Sequence, residues 1–227
     1  MGESKRRVPV VVQVGCADTE STIELARHAE RIGADAVASL TPYYYKPGEA
    51  AIVKHFERIA GSVGIPLFAY NIPQFTGNNL SPSTAVALAK KGTITGIKDS
   101  SRDVLQLLDL LGAAPEGFIV MNGTEEYGLF AMMMGGDGLV SGGANAVPEL
   151  FASLVSSHSA GEHEEAVKVQ RRILRFKDAV ESAPISSYYS ILDARGVSCG
   201  SPRGPFLPLE KTIVDRMVSQ LHSQRIL

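Results

Sequence analysis

The stretch Pro66-Leu67-Phe68-Ala69-Tyr70, followed by the segment Ser81–Lys90 and then by Ile94-Thr95-Gly96-Ile97-Lys98, decides the fold. A short apolar run, an amphipathic segment with helical spacing and a second apolar run describe two parallel strands joined by a crossover helix. Ser81-Pro82 reads as an N-cap with proline at the first helical position. The same unit recurs on both sides. Apolar runs occupy Val8–Val14, Asp35–Leu40, Pro66–Tyr70, Ile94–Lys98, Phe118–Met121 and Gly138–Ser141, with starts 27, 31, 28, 24 and 20 residues apart. Between them, helices are expected at Ser21–Ile32, Glu49–Ser62, Ser81–Lys90, Arg102–Leu111 and Glu125–Met134, several ending at a glycine such as Gly33 or Gly135. Strands that are apolar on both faces and alternate with helices belong to a parallel sheet covered by helices. Past Ser141 only helices are expected, at Pro148–Ser157, Glu162–Val180, Ile185–Ala194 and Leu209–His222. The chain therefore reads as one domain, with a partial βα barrel of six strands over residues 1–145 and C-terminal helices over 146–227 packed on the same barrel.

Composition narrows the function. With 227 residues, 44% hydrophobic and 20% charged, the chain has enough apolar material for a sizeable core and is not a disordered polymer. The net charge of −2 calls for neither nucleic acid nor an anionic membrane as partner. Two cysteines, Cys16 and Cys199, make no disulfide scaffold and fit a reducing, cytoplasmic setting. The charged start Met1–Arg7 leads into no signal-type segment, and runs such as Val8–Val12 are too short to cross a bilayer. No nucleotide-binding glycine motif is present. His158 and His163 among Glu162, Glu164 and Glu165 read as a solvated face, and Cys16 reads as a small buried thiol.

In a βα barrel the chemistry gathers at the carboxyl ends of the strands. Lys98 closes the run Ile94–Lys98 and is the odd residue among apolar neighbours. Desolvation there disfavours the ammonium form and yields an amine nucleophile for a carbonyl, whereas most lysines instead reach solvent or pair with a carboxylate. Tyr70 ends the preceding strand, so both side chains can share one mouth, and a phenol can move the protons that Schiff-base formation requires.

Thr41-Pro42-Tyr43-Tyr44, Tyr70-Asn71-Ile72-Pro73 and Gly96-Ile97-Lys98-Asp99, with 28 residues from Tyr70 to Lys98, together resemble the N-acetylneuraminate lyase / dihydrodipicolinate synthase family. Gly123-Thr124-Glu125-Glu126 and Gly138-Leu139-Val140-Ser141 extend the resemblance from Val8 onward. It implies a TIM (β/α)8-type barrel and a class I aldolase that needs no metal or organic cofactor and holds pyruvate as a Schiff base. Lys98 would be the Schiff-base lysine, Tyr70 the proton shuttle, and Tyr44 a tyrosine that in the family often reaches a neighbouring subunit's proton relay. Val140, Gly123 and Ser100 would line the substrate; Ser100 reads equally well as a cap for the helix at Arg102–Leu111. Glu125 and Glu126 align with an acidic pair that binds sugar hydroxyls in the lyases, or they charge the first turn of a helix. A homodimer or homotetramer is implied.

Two departures stand out. The resemblance implies two further βα units ahead of Val8–Val14, with a Gly-Thr-Thr-Gly-Glu-type loop, so the chain is expected to be a truncated member lacking the first two units. Where the synthases carry an arginine that grips the aldehyde's carboxylate, the chain reads Gln74-Phe75-Thr76-Gly77. The leading expectation is reversible cleavage of a 3-deoxy-2-oxo sugar acid, of the N-acetylneuraminate or ketodeoxygluconate type, to pyruvate and an aldehyde. The alternatives are synthase-type condensation of pyruvate with aspartate semialdehyde, and an inactive paralogue serving as a binding or assembly subunit.

Overall fold

Residues 7–180 and 182–227 are described by a computed structural model; the charged start at residues 1–6 lies outside them. The chain forms two compact units. One runs to Thr124 and takes in Met134–Val140, and the other comprises Glu125–Met133 and Ser141–Leu227.

The first unit carries one six-stranded sheet in the order β1-β2-β3-β4-β5-β6, every pair parallel. The strands are β1 (Val11–Gln13), β2 (Ala36–Leu40), β3 (Leu67–Asn71), β4 (Gly96–Asp99), β5 (Ile119–Asn122) and β6 (Gly138–Leu139). Each sits within a few residues of its expected run. β1 is shorter than expected because its residues pair on one side only, with β2, among the described residues, and Pro9 has no N–H to offer a ladder. Connecting them are α1 (Thr19–Arg31), α2 (Glu49–Ala60), α3 (Pro73–Thr76), α4 (Pro82–Lys90) and α5 (Val104–Ala113). Three of their starts, those of α1, α4 and α5, carry side-chain caps. Asp18 accepts from the Ser21 amide, Ser81 from Thr84 and Asp103 from Gln106. The cap at Asp103 moves the start of α5 two residues past the expected Arg102, and Ser100 has no part in it. Helix α3 was not expected, because four residues carry no periodic signal. Between sheet and helices lie Val37, Phe56, Ile59, Ala69, Leu88 and Ile97, all fully buried.

In the second unit the expected helix at Glu125–Met134 begins as a 3₁₀ turn at Glu125–Tyr127 and becomes α6 only at Gly128–Met133. Then come α7 (Pro148–Ser159), α8 (His163–Val180), α9 (Pro184–Ala194) and α10 (Lys211–Ser223). Phe151 and Phe176 meet edge to face at 6.4 Å, and Tyr188 stacks on Phe176 at 6.2 Å. Gly143 is required beside them: a Cβ there would stand 2.6 Å from Phe176 Cε1. Among the described residues no helix is long and apolar enough to cross a membrane.

Candidate active site

Parallel pairing without a bulge puts residues opposite one another on the same face of the sheet. The observed register aligns Leu40, Tyr70, Lys98, Met121 and Gly138 in one row across β2 to β6. The row below it contains Phe68, Gly96 and Ile119. Gly96 makes room there, since a Cβ would press into the Phe68 ring at 2.5 Å and the Ile119 carbonyl oxygen at 2.7 Å. Lys98 and Tyr70, the pair singled out from the sequence, are thus direct neighbours at the carboxyl ends of their strands. Lys98 Nζ lies 4.0 Å from the centroid of the half-buried Tyr70 ring. A cation over an aromatic face gains about 0.5–2 kcal/mol, depending on desolvation. The contact places Nζ against the Tyr70 ring.

The opposite face explains how this geometry is held. One residue further along, Asn71, Asp99 and Asn122 form a second row, all three buried. Asn71 donates from Nδ2 to Asp99 Oδ1 at 2.8 Å, Gln106 donates to the same oxygen at 3.2 Å, and the Ser101 hydroxyl donates to Asp99 Oδ2 at 2.6 Å. Asn71 also donates to Asn79 Oδ1 at 2.9 Å and accepts from the Leu80 amide at 2.9 Å. The ladder runs on past the strands, with Ser100 N donating to Asn71 O, Gly123 N to Asp99 O and Val140 N to Asn122 O, at 2.7–2.9 Å. Sequence reading passed over this network, although an Asn and an Asp directly after Tyr70 and Lys98 were its visible trace.

Ser100 is 4% exposed, and its hydroxyl has no hydrogen-bond partner among the described residues. It lies beside Gly123, where a Cβ would overlap Ser100 Oγ and approach Lys98 Cε to 2.7 Å. Bare backbone at Gly123 is therefore what leaves space beside the amine. Val140 follows β6, is partly exposed and is tied to the sheet through its amide. Tyr44 is 86% exposed on the loop after β2, takes the left-handed φ of 81°, and meets Tyr45 edge to face at 4.9 Å. Cys16 is half-buried; burial first, and then the nearby Asp18, push its thiol up, which disfavours a nucleophilic thiolate. Among the described residues no group of acidic, histidine and cysteine side chains could hold a metal ion.

In the second unit Glu125 is buried and already engaged. Its carboxylate accepts from Ser141 Oγ at 2.5 Å and the Gly143 amide at 2.8 Å, and it pairs with Lys177 Nζ at 3.1 Å. Glu126 faces solvent. Burial, with the charges of Glu125 and Glu126, drives the Tyr188 phenol far above its ordinary value, so it stays protonated.

A parallel barrel sheet that offers a lysine and a tyrosine together at its carboxyl rim belongs to the class of barrel enzymes that work on carbonyl substrates. The chain belongs to the dihydrodipicolinate synthetase family, whose sequence model matches residues 1–224. It is 38% identical over 210 residues to the 4-hydroxy-tetrahydrodipicolinate synthase of Chlorobium luteolum, covering 91% of this chain and 70% of that one. It is 36% identical over 204 residues to an uncharacterized DapA-like lyase of Halobacterium salinarum, covering 89% and 67%. Dihydrodipicolinate synthase DapA-2 of Bacillus anthracis superposes with a TM-score of 0.92 at 30% identity, over 98% of this chain and 76% of that one. YagE, a prophage protein of E. coli K12 in the same family and solved with pyruvate, gives 0.91 at 27% identity over 100% and 78%. The six strands are thus those of a TIM-type barrel, followed by C-terminal helices, and the chain is an enzyme of the pyruvate-dependent lyase and synthase class.

Proposed function

We propose that Lys98 forms a Schiff base with pyruvate and that the chain joins this three-carbon unit to an aldehyde, in the manner of the synthases among its relatives. The observation that carries the reading is the Lys98 amine held over the Tyr70 ring beside the bare backbone of Gly123. The amine adds to the 2-oxo carbon of pyruvate, and water leaves to give an iminium. Loss of a C3 proton makes an enamine, whose C3 attacks the aldehyde carbon while the aldehyde oxygen gains a proton. Hydrolysis then releases a 4-hydroxy-2-oxo acid and restores the amine. Tyr70 is the group that moves protons at the carbinolamine, with the Ser100 hydroxyl and the backbone at Gly123 and Val140 holding the pyruvyl unit. Tyr44, projecting into solvent, is assigned to a relay completed by a second copy in a homodimer or homotetramer.

Synthase-type condensation is preferred over sugar-acid cleavage on two counts. Curated relatives named as 4-hydroxy-tetrahydrodipicolinate synthases match over most of this chain. In addition, Glu125, which would bind sugar hydroxyls, has its carboxylate committed to Ser141, Gly143 and Lys177. The test is to incubate the protein with pyruvate, reduce with borohydride, digest, and locate the added mass. An adduct on the Lys98 peptide is expected, absent in Lys98→Ala. An untouched Lys98 in folded protein would instead favour an assembly subunit without catalysis. Condensation is then assayed with aspartate semialdehyde as the first acceptor. Tyr70→Phe should slow adduct formation by about 10²–10⁴-fold, the usual worth of a positioned acid–base group.

A further inference from the structure

We infer that the acceptor aldehyde of this enzyme carries an apolar chain, received in a cavity that begins at the Tyr70 ring, with Phe75 as the residue that selects it. This rests on the Schiff-base reading of Lys98. The cavity measures about 290 Å³ and is lined by Leu40, Tyr43, Tyr70, Ile72, Phe75 and Thr76. Leu40 and Tyr70 are consecutive members of the row that continues to Lys98 on β4, so the cavity and the amine both border Tyr70. No cationic side chain is among the lining residues. The Thr76 hydroxyl is already spent, donating to the Asn78 carbonyl oxygen at 2.9 Å and accepting from Thr41 Oγ1 at 3.1 Å. A carboxylate entering this space would lose water and gain no charged partner, whereas an alkyl or aryl group meets carbon on most sides.

Phe75 is 80% exposed, and its backbone is not free to fold it away. It sits on α3, which Pro73 starts and Gly77 (φ 72°) ends. Phe75 N and Thr76 N both donate to Ile72 O, at 3.0 and 3.1 Å, and Gly77 N donates to Pro73 O at 2.8 Å. A pinned, water-facing phenylalanine at the lip of an apolar cavity beside the reactive amine gains by being covered when the substrate arrives.

The experiment compares two aldehydes of the same length, 4-methylpentanal and succinic semialdehyde, as acceptors for pyruvate. They differ only in an isopropyl group against a carboxylate. Rates are normalised to the fraction of protein that borohydride traps with pyruvate. The expected result is a kcat/KM at least about tenfold higher for 4-methylpentanal, since a factor of ten corresponds to one buried isopropyl's worth of apolar contact. Phe75→Ala should shrink that ratio about tenfold, and Phe75→Arg should invert it by supplying the missing cation. Equal or better use of succinic semialdehyde by the unmodified protein, a ratio unmoved by both substitutions, or inactivity with both aldehydes despite a pyruvate adduct would each overturn the acceptor assignment alone. Absence of any adduct on Lys98 would overturn the Schiff-base reading and this inference with it.

Discussion

Gly123, Lys98 and His55 each tie function or stability to a single atom group. At Gly123 the space beside Lys98 Cε exists only because there is no side chain, so Gly123→Ala should abolish the borohydride-trapped adduct. The residue is half-buried in a loop where the clash falls on side chains, so the variant should still melt cooperatively. His55 lies at 2% exposure between α2 and the sheet, its ring nitrogens 2.9 Å from Thr19 Oγ1 and 3.4 Å from Ser39 Oγ. Burial is the main cause that lowers its affinity for a proton; the Leu40 backbone opposes it, Arg58 adds to it and Asp18 opposes it, in that falling order. In the unfolded chain His55 titrates near its ordinary value of about 6.5, so below that pH the unfolded state binds the extra proton first. Its contribution to stability is therefore whole above pH ~6.5 and declines as pH falls toward the lowered folded value. Urea midpoints measured from pH 7.5 to 5 should fall for the native chain, and the slope should flatten in His55→Gln.

At the scale of elements, the polar row behind β3 and β4 holds the register that brings Tyr70 to Lys98. Asp99 accepts three hydrogen bonds from Asn71, Gln106 and Ser101, drawn from three different segments. Asp99→Ala leaves those donors unsatisfied in a buried site and should cost about 2–3 kcal/mol in chemical denaturation. Asp99→Asn keeps one acceptor and should lose less. In both, adduct formation at Lys98 should slow more than pyruvate affinity changes, because orientation rather than contact is disturbed. A structural role alone would lower the melting point without that split. Helix ends follow local rules: Ser81→Ala removes the cap on α4 and should destabilise by about 1 kcal/mol. The Ser81 cap was visible in the sequence because it lies only three positions from its amide and directly before Pro82. The start of α5 was misplaced because Arg102, at φ 62°, sits in a left-handed turn ahead of the true cap, Asp103, and nothing in residue order marks that.

For the whole molecule, the order of six parallel strands leaves β1 and β6 each paired on one side among the described residues. Val11 on β1 and Val8 ahead of it are both exposed, an apolar edge of the sort that recruits further strands. Val11→Lys should reduce concentration-dependent self-association in analytical ultracentrifugation while leaving the sheet intact. The alternation of apolar runs and helices, the Ser81 cap, and the placement of Tyr70 and Lys98 at neighbouring strand ends were legible in residue order, because each is set by contacts within one βα unit or between adjacent ones. Three matters were decided only by tertiary structure. The Asn71–Asp99 network depends on register between strands. Glu125, at the start of a 3₁₀ turn, is also drawn to Lys177 on α8, 52 residues on. The cavity at Phe75 and Tyr43 forms where α3 meets the loop after β2, segments that sequence order keeps apart. Each arises from groups far apart in the chain, whose meeting is governed by packing rather than by any local preference.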